Sequence, residues 1–416
     1  MTGESQGSLL GLYRALDLTD RKGWLCGKVL ADLGADVIKI EPPGGDVSRR
    51  MGPFYNNTPG RENSLLWFAF NASKRGITLN IETSEAREIF KLLVKRSDFV
   101  IESFTPGYMD TLDLSYSVLS EVNPRVILTS ITPFGQTGPY KGYKTSDLVA
   151  MATGGLMYVT GDPDRAPVRI SVPQAYSQAG AQAAMGTLIA HYYRELTGEG
   201  QQVDVSIQAA LTKALVGELP MWEFLHILTH RLGPKYRRGE TYQLTVWPCK
   251  DGQVGFRLLG GAYRKGIRPL VEWMKEEGMA GALADIQDWE NVDIVNMSQE
   301  DIVAWEESVV DFFLKHTMAE LHEASVKRGF YLLPSNTTKD IVASKQLSAR
   351  YFWQEVNHPE LGDNIIYPGP PYKFSDAKCQ IRHRAPLIGE HNAEVYQKEL
   401  GLSKQELISL KEGNVI

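Results

Sequence analysis

The chain has 416 residues, 43% hydrophobic and 23% charged, with a formal net charge of -6. This is the composition of an ordinary globular protein long enough for roughly two or three domains, and the lack of basic blocks argues against a nucleic-acid footprint or a polybasic membrane patch. No apolar run approaches the roughly 20 residues of a membrane span, the polar start MTGESQGS is not a signal peptide, and Cys26, Cys249 and Cys379 are dispersed without C-x-x-C spacing, so a soluble cytoplasmic protein with no disulfide framework or zinc site is expected.

From the N-terminus, YRALDLT reads as a short buried strand. KGWLCGKVLADLGA then spaces Trp24, Leu25, Val29, Leu30 and Leu33 along one helical face, and DVIKIEPP supplies a second strand stopped by prolines, which makes a β-α-β unit. The turn between strand and helix, DLTDRKGWLCG, lacks G-x-G-x-x-G, so a nicotinamide enzyme is not expected. Arg21 and Lys22 at the helix start either attract phosphate together with the helix dipole or stand as solvated charge. The loop EPPGGDVSRRMGP follows a strand, where α/β proteins tend to place ligands; its Arg49 and Arg50 either pair with phosphates or lie free on a surface loop.

The alternation continues with GITLNI as a strand, SEAREIFKLLVKRS as a helix with Ile89, Leu92 and Leu93 facing inward, and DFVIESF as the next strand. The helix-like DLSYSVLSEVN leads into the strand RVILTSIT. Strands alternating with helices predict an α/β fold whose parallel sheet is covered on both faces. The stretch ISVPQAYSQAGAQAAMG, Ile170 to Gly186, contains no acidic, basic or histidine side chain; its small residues predict a closely packed helix over Ala179 to Glu195, after which GQQVDVSI returns as a strand.

Near Leu232 the character changes. RLGPKYRRGETYQ is polar and reads as a loop or linker, TVWPCKDGQVGFRLL reads as a hairpin with Asp251-Gly252 at its turn, and helices follow to about Arg328. The expected organisation is residues 1–220 as the N-terminal part of a large domain, 221–328 as a smaller α+β domain, and 329–416 returning to the large one. Trp222, Phe224 and Trp247 either line an aromatic wall or belong to a core. The eight histidines lack H-E-x-x-H or H-x-E spacing, so no metal site is expected, and His191 reads as a packed or capping residue. No G-x-S-x-G elbow or Walker loop occurs.

Several ordered blocks go further: LADLGADVIKIEPPGGDVSRRMGPF, NASKRGITLNI, ESFTPGYMDTLDL, NPRVILTSITPFGQTGPY, TGEGQQVDVSI and RAPLIGEHNAEVY. Together they resemble the class III CoA-transferase family, which includes formyl-CoA and carnitine CoA-transferases and the α-methylacyl-CoA racemases. The resemblance runs from about Gly11 to the C-terminus. It implies a Rossmann-like large domain built from both chain ends, a smaller domain between, and ring-shaped subunits threaded into an interlocked dimer. It also implies a coenzyme A thioester as substrate, with no covalently bound cofactor.

Transferases of this family attack the thioester with an aspartate, in patterns such as V-P-x-A-D-x-x-A-G. Laid over VPQAYSQAG, that aspartate falls on Tyr176, and no other Asp or Glu lies between Arg169 and His191. A phenol with an ordinary pKa near 10 does not form the acyl anhydride this chemistry requires. Racemases of the family place a histidine before the aspartate of a G-H-D block; here Ser146 precedes Asp147, which disfavours that activity. The resemblance carries CoA-contact positions onto Leu79, Ser103, Phe104, Tyr108 and Lys144. Thr111 falls where formyl-CoA transferase has an arginine, and the first turn is one residue shorter.

The resemblance therefore implies the non-catalytic subunit of a hetero-oligomeric transferase, interlocked with a paralogue that bears the aspartate. Two-subunit members of the family move CoA from succinyl-CoA to dicarboxylates, and benzylsuccinate, an intermediate of anaerobic toluene degradation, is the acceptor it suggests. The alternatives are a self-sufficient CoA-dependent lyase or isomerase in which Tyr176 donates a proton, and a CoA-binding protein without catalysis.

Overall fold

The computed structural model describes residues 7–258, 267–289, 292 and 296–416. The chain forms two compact units: residues 1–157, 169–227 and 346–416 make the first, and residues 158–168 and 228–345 the second.

The first unit is built on β1 (Arg14–Asp17), α1 (Trp24–Asp32), β2 (Asp36–Glu41), α2 (Leu65–Asn71), β3 (Lys74–Thr78), α3 (Ser84–Val94) and β4 (Phe99–Glu102). It continues with α4 (Tyr108–Thr111), α5 (Tyr116–Val122), β5 (Ile127–Thr132), α6 (Asp147–Thr153), α7 (Ala175–Thr197), β6 (Gln202–Ser206), α8 (Ile207–Thr212) and α9 (Glu218–Leu225). The six strands form one parallel sheet in the order β3-β2-β1-β4-β5-β6. Leu16 pairs with Ile38 on one side and Val100 on the other. Strands covered by helices on both faces are buried on both, and every residue of β4 and β5 is buried, including the polar Glu102, Thr129, Ser130 and Thr132.

On one face of the sheet α1 and α7 pack through Cys26, Leu30, Ala31, Ala179, Ala183 and Ala184. On the other, α3 and α5 cover Leu16, Ile38, Val100 and Leu128, joined by Val395, Tyr396, Val415 and Ile416 from the chain's end. Helix α3 starts where the Thr83 side chain accepts from the Ala86 amide, and it turns Ala86, Ile89, Phe90, Leu93 and Val94 inward; Leu92, expected to face inward, is exposed. Small residues bring α7 against α1: a Cβ on Gly180 would lie 2.8 Å from Leu25 Cβ. Helix α7 begins at Ala175, four residues before the expected Ala179, which puts Tyr176 on its first turn.

The second unit contains β7 (Lys235–Arg238), β8 (Thr241–Leu244), β9 (Val246–Cys249), β10 (Gly252–Phe256), α10 (Arg268–Glu276), α11 (Gln299–Phe313), α12 (Met318–Arg328) and β11 (Leu332–Pro334). The polar segment expected as a loop is instead the hairpin β7-β8, which turns at Gly239 with φ +57. In the following hairpin Gly252 already pairs with Cys249, so the turn is Lys250-Asp251. Trp247 is fully buried and donates its indole N–H to Phe256 O at 2.7 Å, which settles it as core with Phe312, Phe313 and Phe330.

The C-terminal part of the first unit adds the antiparallel pair β12 (Trp353–His358) and β13 (Asp363–Pro368). It returns to β3, where Tyr396 donates to Thr78 O at 2.6 Å and Arg75 reaches Glu394 and Glu399. Among the described residues no helix is long and apolar enough to cross a membrane.

Candidate functional site

In a parallel sheet of this order the chain leaves β1 in one direction and returns to β4 on its other side, which opens a crevice at the carboxyl ends of these two strands. The residues following β1 and β4 are therefore the first place to look for chemistry. Beneath the crevice, Asp17 is fully buried and meets Lys74 Nζ at 2.8 Å and Lys39 Nζ at 3.4 Å. Burial pushes the Asp17 carboxyl up, but the two lysines outweigh it and hold it down at about 2. The Thr19 amide and hydroxyl donate to the same carboxylate, and Lys39 donates to Thr19 O, so the first turn is clamped from below.

Above this clamp, Ser103 ties β4 to the first turn: its Oγ accepts from the Asp20 amide at 2.9 Å and donates to Asp20 Oδ1 at 2.9 Å. Asp20 also pairs with Lys22. Glu102, the last residue of β4, accepts from the Phe104 amide at 2.6 Å, and burial pushes its carboxyl up to about 7 despite that bond and one from Ser130. Sequence reasoning missed Glu102 and Asp17; their positions at strand ends were the available signal.

The structure gathers four of the five expected CoA-contact positions around one face of this crevice. Phe104 packs on Tyr108 with ring centres 4.8 Å apart, Tyr108 donates to Glu82 at 3.0 Å, and both rings rest on the core that holds Leu79. Leu79 is itself buried. Lys144 lies exposed in the loop between β5 and α6 and makes no ion pair among the described residues. Thr111 donates to Tyr108 O at 2.7 Å.

Tyr176 sits on the α1–α7 face of the sheet, half-buried, with the Arg21 guanidinium 5.0 Å from its ring centre. Burial raises the phenol above its ordinary value; Arg21 and the Asp147 amide oppose this, while the charges of Asp20 and Asp147 add to it. Neither of these carboxylates is free: Asp20 is held by Lys22 and Ser103, and Asp147 Oδ1 accepts from the Ala175 amide at 2.9 Å. Ser146 caps α6, its Oγ accepting from Val149. His191 is packed against Tyr13 and Phe99 and accepts from Arg194 at 2.9 Å.

Arg49 takes no part in this crevice. It is fully buried, paired with Glu41 at 2.6 and 2.7 Å and with Glu62 at 2.6 Å, and stacked 3.8 Å from the Trp67 ring centre. This corrects its expected availability to a phosphate: it is a core ion pair. Arg50 is exposed. Trp222 and Phe224 lie exposed on α9 in the first unit, away from any core. Among the described residues, no group of three His, Cys, Asp or Glu is placed to hold a metal ion.

The family model described as CoA-transferase family III matches residues 14–392. The chain is 37% identical over 388 residues to succinyl-CoA:(R)-benzylsuccinate CoA-transferase subunit BbsE of Thauera aromatica, covering 92% of each chain. It is 33% identical to a formyl-CoA:oxalate CoA-transferase of Streptomyces avermitilis, covering 97% of this chain and 98% of that one. A crystal structure of a CAIB/BAIF family protein from Brucella suis superposes with a TM-score of 0.80 at 27% identity, covering 94% of this chain and all of the other.

Proposed function

The chain belongs to CoA-transferase family III, whose substrates are CoA thioesters, and we propose that it is the non-catalytic subunit of a heteromeric enzyme moving CoA from succinyl-CoA to a dicarboxylic acid such as benzylsuccinate. The similarity to a protein named as a subunit supports a partner, and the acceptor is taken from the same relative. One observation carries the non-catalytic assignment. Tyr176, where the pattern V-P-x-A-D-x-x-A-G has its aspartate, is a phenol raised by burial, and the two carboxylates whose charges act on it are already engaged.

Transfer requires a carboxylate that attacks the thioester carbonyl and expels the CoA thiolate to leave a mixed acyl anhydride; the thiolate then attacks that anhydride, releasing the acid and leaving CoA on the enzyme as a thioester. A protonated phenol at position 176 does not begin this sequence at neutral pH. The nucleophile accordingly belongs to a paralogous subunit of the same fold, interlocked with this one. Large exposed apolar side chains support such a partner: α9 buries none of its residues although it carries Leu219, Met221, Trp222, Phe224 and Leu225. Met185, Ile189, Tyr192, Tyr193 and Leu196 of α7 are exposed as well. The three free thiols suit a cytoplasmic setting.

The test is CoA transfer from succinyl-CoA to benzylsuccinate by this chain alone, by an aspartate-bearing paralogue alone, and by the two co-expressed. Activity and a stable complex only on co-expression are expected. Turnover by this chain alone would overturn the assignment, and Tyr176→Phe would then test whether the phenol takes part.

A further inference from the structure

The C-terminal part of the first unit holds a cavity of about 420 Å³ that shares no residue with the crevice at β1 and β4. Among the described residues its lining includes Arg350, Lys373 and Lys378 but no carboxylate, on a chain whose net charge is -6. None of the three cations forms an ion pair among the described residues. Asp376, between the two lysines in sequence, accepts instead from the Ser375 hydroxyl. The Arg350 guanidinium reaches only Pro371 O, at 3.5 Å.

Tyr351 stands at the mouth of this cavity in a conformation that tyrosine rarely adopts. The helix Lys345–Ala349 closes with the Phe352 amide donating to Leu347 O at 3.0 Å and the Tyr351 amide to Ser348 O at 2.9 Å. This pair of bonds puts the residue after the helix in the left-handed region, where glycine is the usual occupant, and Tyr351 has φ +56. A bulky side chain there is strained, and its ring gains little burial in return, being 80% exposed with the Lys373 ammonium 5.0 Å from its centre. Tyr372 and Phe374 line the same cavity, half-exposed, with ring centres 6.2 Å apart.

Cations alone would serve any anion, but open aromatic faces beside them select a planar group that stacks, as a nucleobase does on Tyr or Phe. A volume of about 420 Å³ lies toward the lower end of small-molecule sites, and the cations sit on two short segments rather than along a stripe, which suits one nucleotide and not a strand. We propose that this cavity is a nucleotide site, in which a nucleoside diphosphate stacks its base on Tyr351 and lays its phosphates against Arg350, Lys373 and Lys378. A diphosphate chain answers several cations where a single carboxylate answers one. The inference is independent of the reading of Tyr176.

The probe is ADP, titrated calorimetrically into the full chain, with adenosine, inorganic phosphate, benzylsuccinate and a single-stranded oligonucleotide as separate arms; ADP is expected to bind more tightly than any of them. Tyr351→Gly is expected to weaken ADP at least ~10-fold, about the loss of one stacked base, while the melting temperature holds or rises because glycine relieves the left-handed strain. Lys373→Gln with Lys378→Gln is expected to weaken ADP at least ~10-fold and to remove most of its salt dependence. Cys379 lines the cavity, whereas Cys26 and Cys249 are buried, so ADP is also expected to slow modification of Cys379 by an uncharged thiol reagent.

ADP binding that neither set of substitutions weakens, or that leaves Cys379 equally reactive, would put the nucleotide elsewhere and sink the proposal. So would tighter binding of benzylsuccinate or of the oligonucleotide with the same dependence on Tyr351 and the lysines. A lower melting temperature in Tyr351→Gly with ADP binding unchanged would make the tyrosine a structural cap and nothing more.

Discussion

Asp17 and Lys74 meet at 2.8 Å inside the parallel sheet, with neither side chain exposed, and Lys39 shares the same carboxylate. One carboxylate does not offset two ammonium groups. The surplus falls on Lys74, whose ammonium burial pushes down to about 8 although Asp17 pulls it up. Asp17→Asn strands two buried cations and is expected to cost about 3–5 kcal/mol, whereas Lys74→Met leaves a balanced Asp17–Lys39 pair and costs less. Because Asp17 is held at about 2, below its ordinary 3.8, its contribution is complete above that ordinary value and disappears as pH falls through about 2. Urea unfolding of both variants between pH 3 and 7 checks the order; equal losses would show that the charge imbalance does not matter.

Glu102 gives the opposite dependence. Its folded value of about 7 lies above the ordinary 4.5, so the neutral carboxyl favours the fold below 4.5, and that advantage is lost as pH rises through 7. Glu102→Gln mimics the neutral form and keeps an acceptor for the Phe104 amide. Relative to the unmodified chain, the variant is expected to gain about 3 kcal/mol between pH 4.5 and pH 8. Paired urea titrations at the two pH values measure this, and a difference independent of pH would mean that the carboxyl titrates normally.

Gly180 fixes how near α7 approaches α1. An added Cβ would stand 2.8 Å from Leu25 Cβ and 3.3 Å from the Cys26 amide, and backbone on both sides leaves little room for adjustment. Gly180→Val is expected to lower stability by about 1–3 kcal/mol and to displace the turn that carries Tyr176, one helical turn upstream. Urea unfolding of the variant measures the loss, and an unchanged midpoint would show that the two helices move apart without cost.

The sheet was legible because its strands and helices obey simple rules: the apolar faces of α1 and α3 follow from local spacing, and β4 and β5 are short runs rich in β-branched and aromatic residues, Phe-Val-Ile in β4 and Ile, Thr and Leu in β5. What escaped depends on distance or on weak local signals. Arg49 looked available for a phosphate, yet its partners include Glu62 and Pro386 O, and no local pattern announces a contact with residue 386. The β7-β8 hairpin was hidden by its polarity, since a two-stranded surface ribbon has no buried face to enforce alternation. The early start of α7 was hidden because its first amide is capped by Asp147, 28 positions away, while Gln174 supplies no cap. Four expected contact positions came together at the crevice, whereas Lys144 stands on a separate loop and joins none of them by a hydrogen bond or ion pair among the described residues.

Helix α9 offers the most direct separation of folding from assembly. Trp222 is 51% exposed and Phe224 80%, and neither side chain belongs to a core of the first unit. Replacing exposed side chains changes folding stability by roughly 0.5 kcal/mol or less when they make no special contact. The same residues at the centre of a subunit interface contribute about 2 kcal/mol or more each, because aromatic anchors account for most of the binding energy. Trp222→Ser with Phe224→Ser is therefore expected to leave the melting temperature of the isolated chain almost unchanged while abolishing co-purification with its partner and, with it, succinyl-CoA-dependent transfer. Light scattering on the co-expressed pair reads assembly, and a thermal melt of the isolated chain reads folding. A lowered melting temperature with assembly intact would mean that α9 packs within its own chain, and the partner would then have to dock elsewhere, with the exposed side chains of α7 as the next surface to alter.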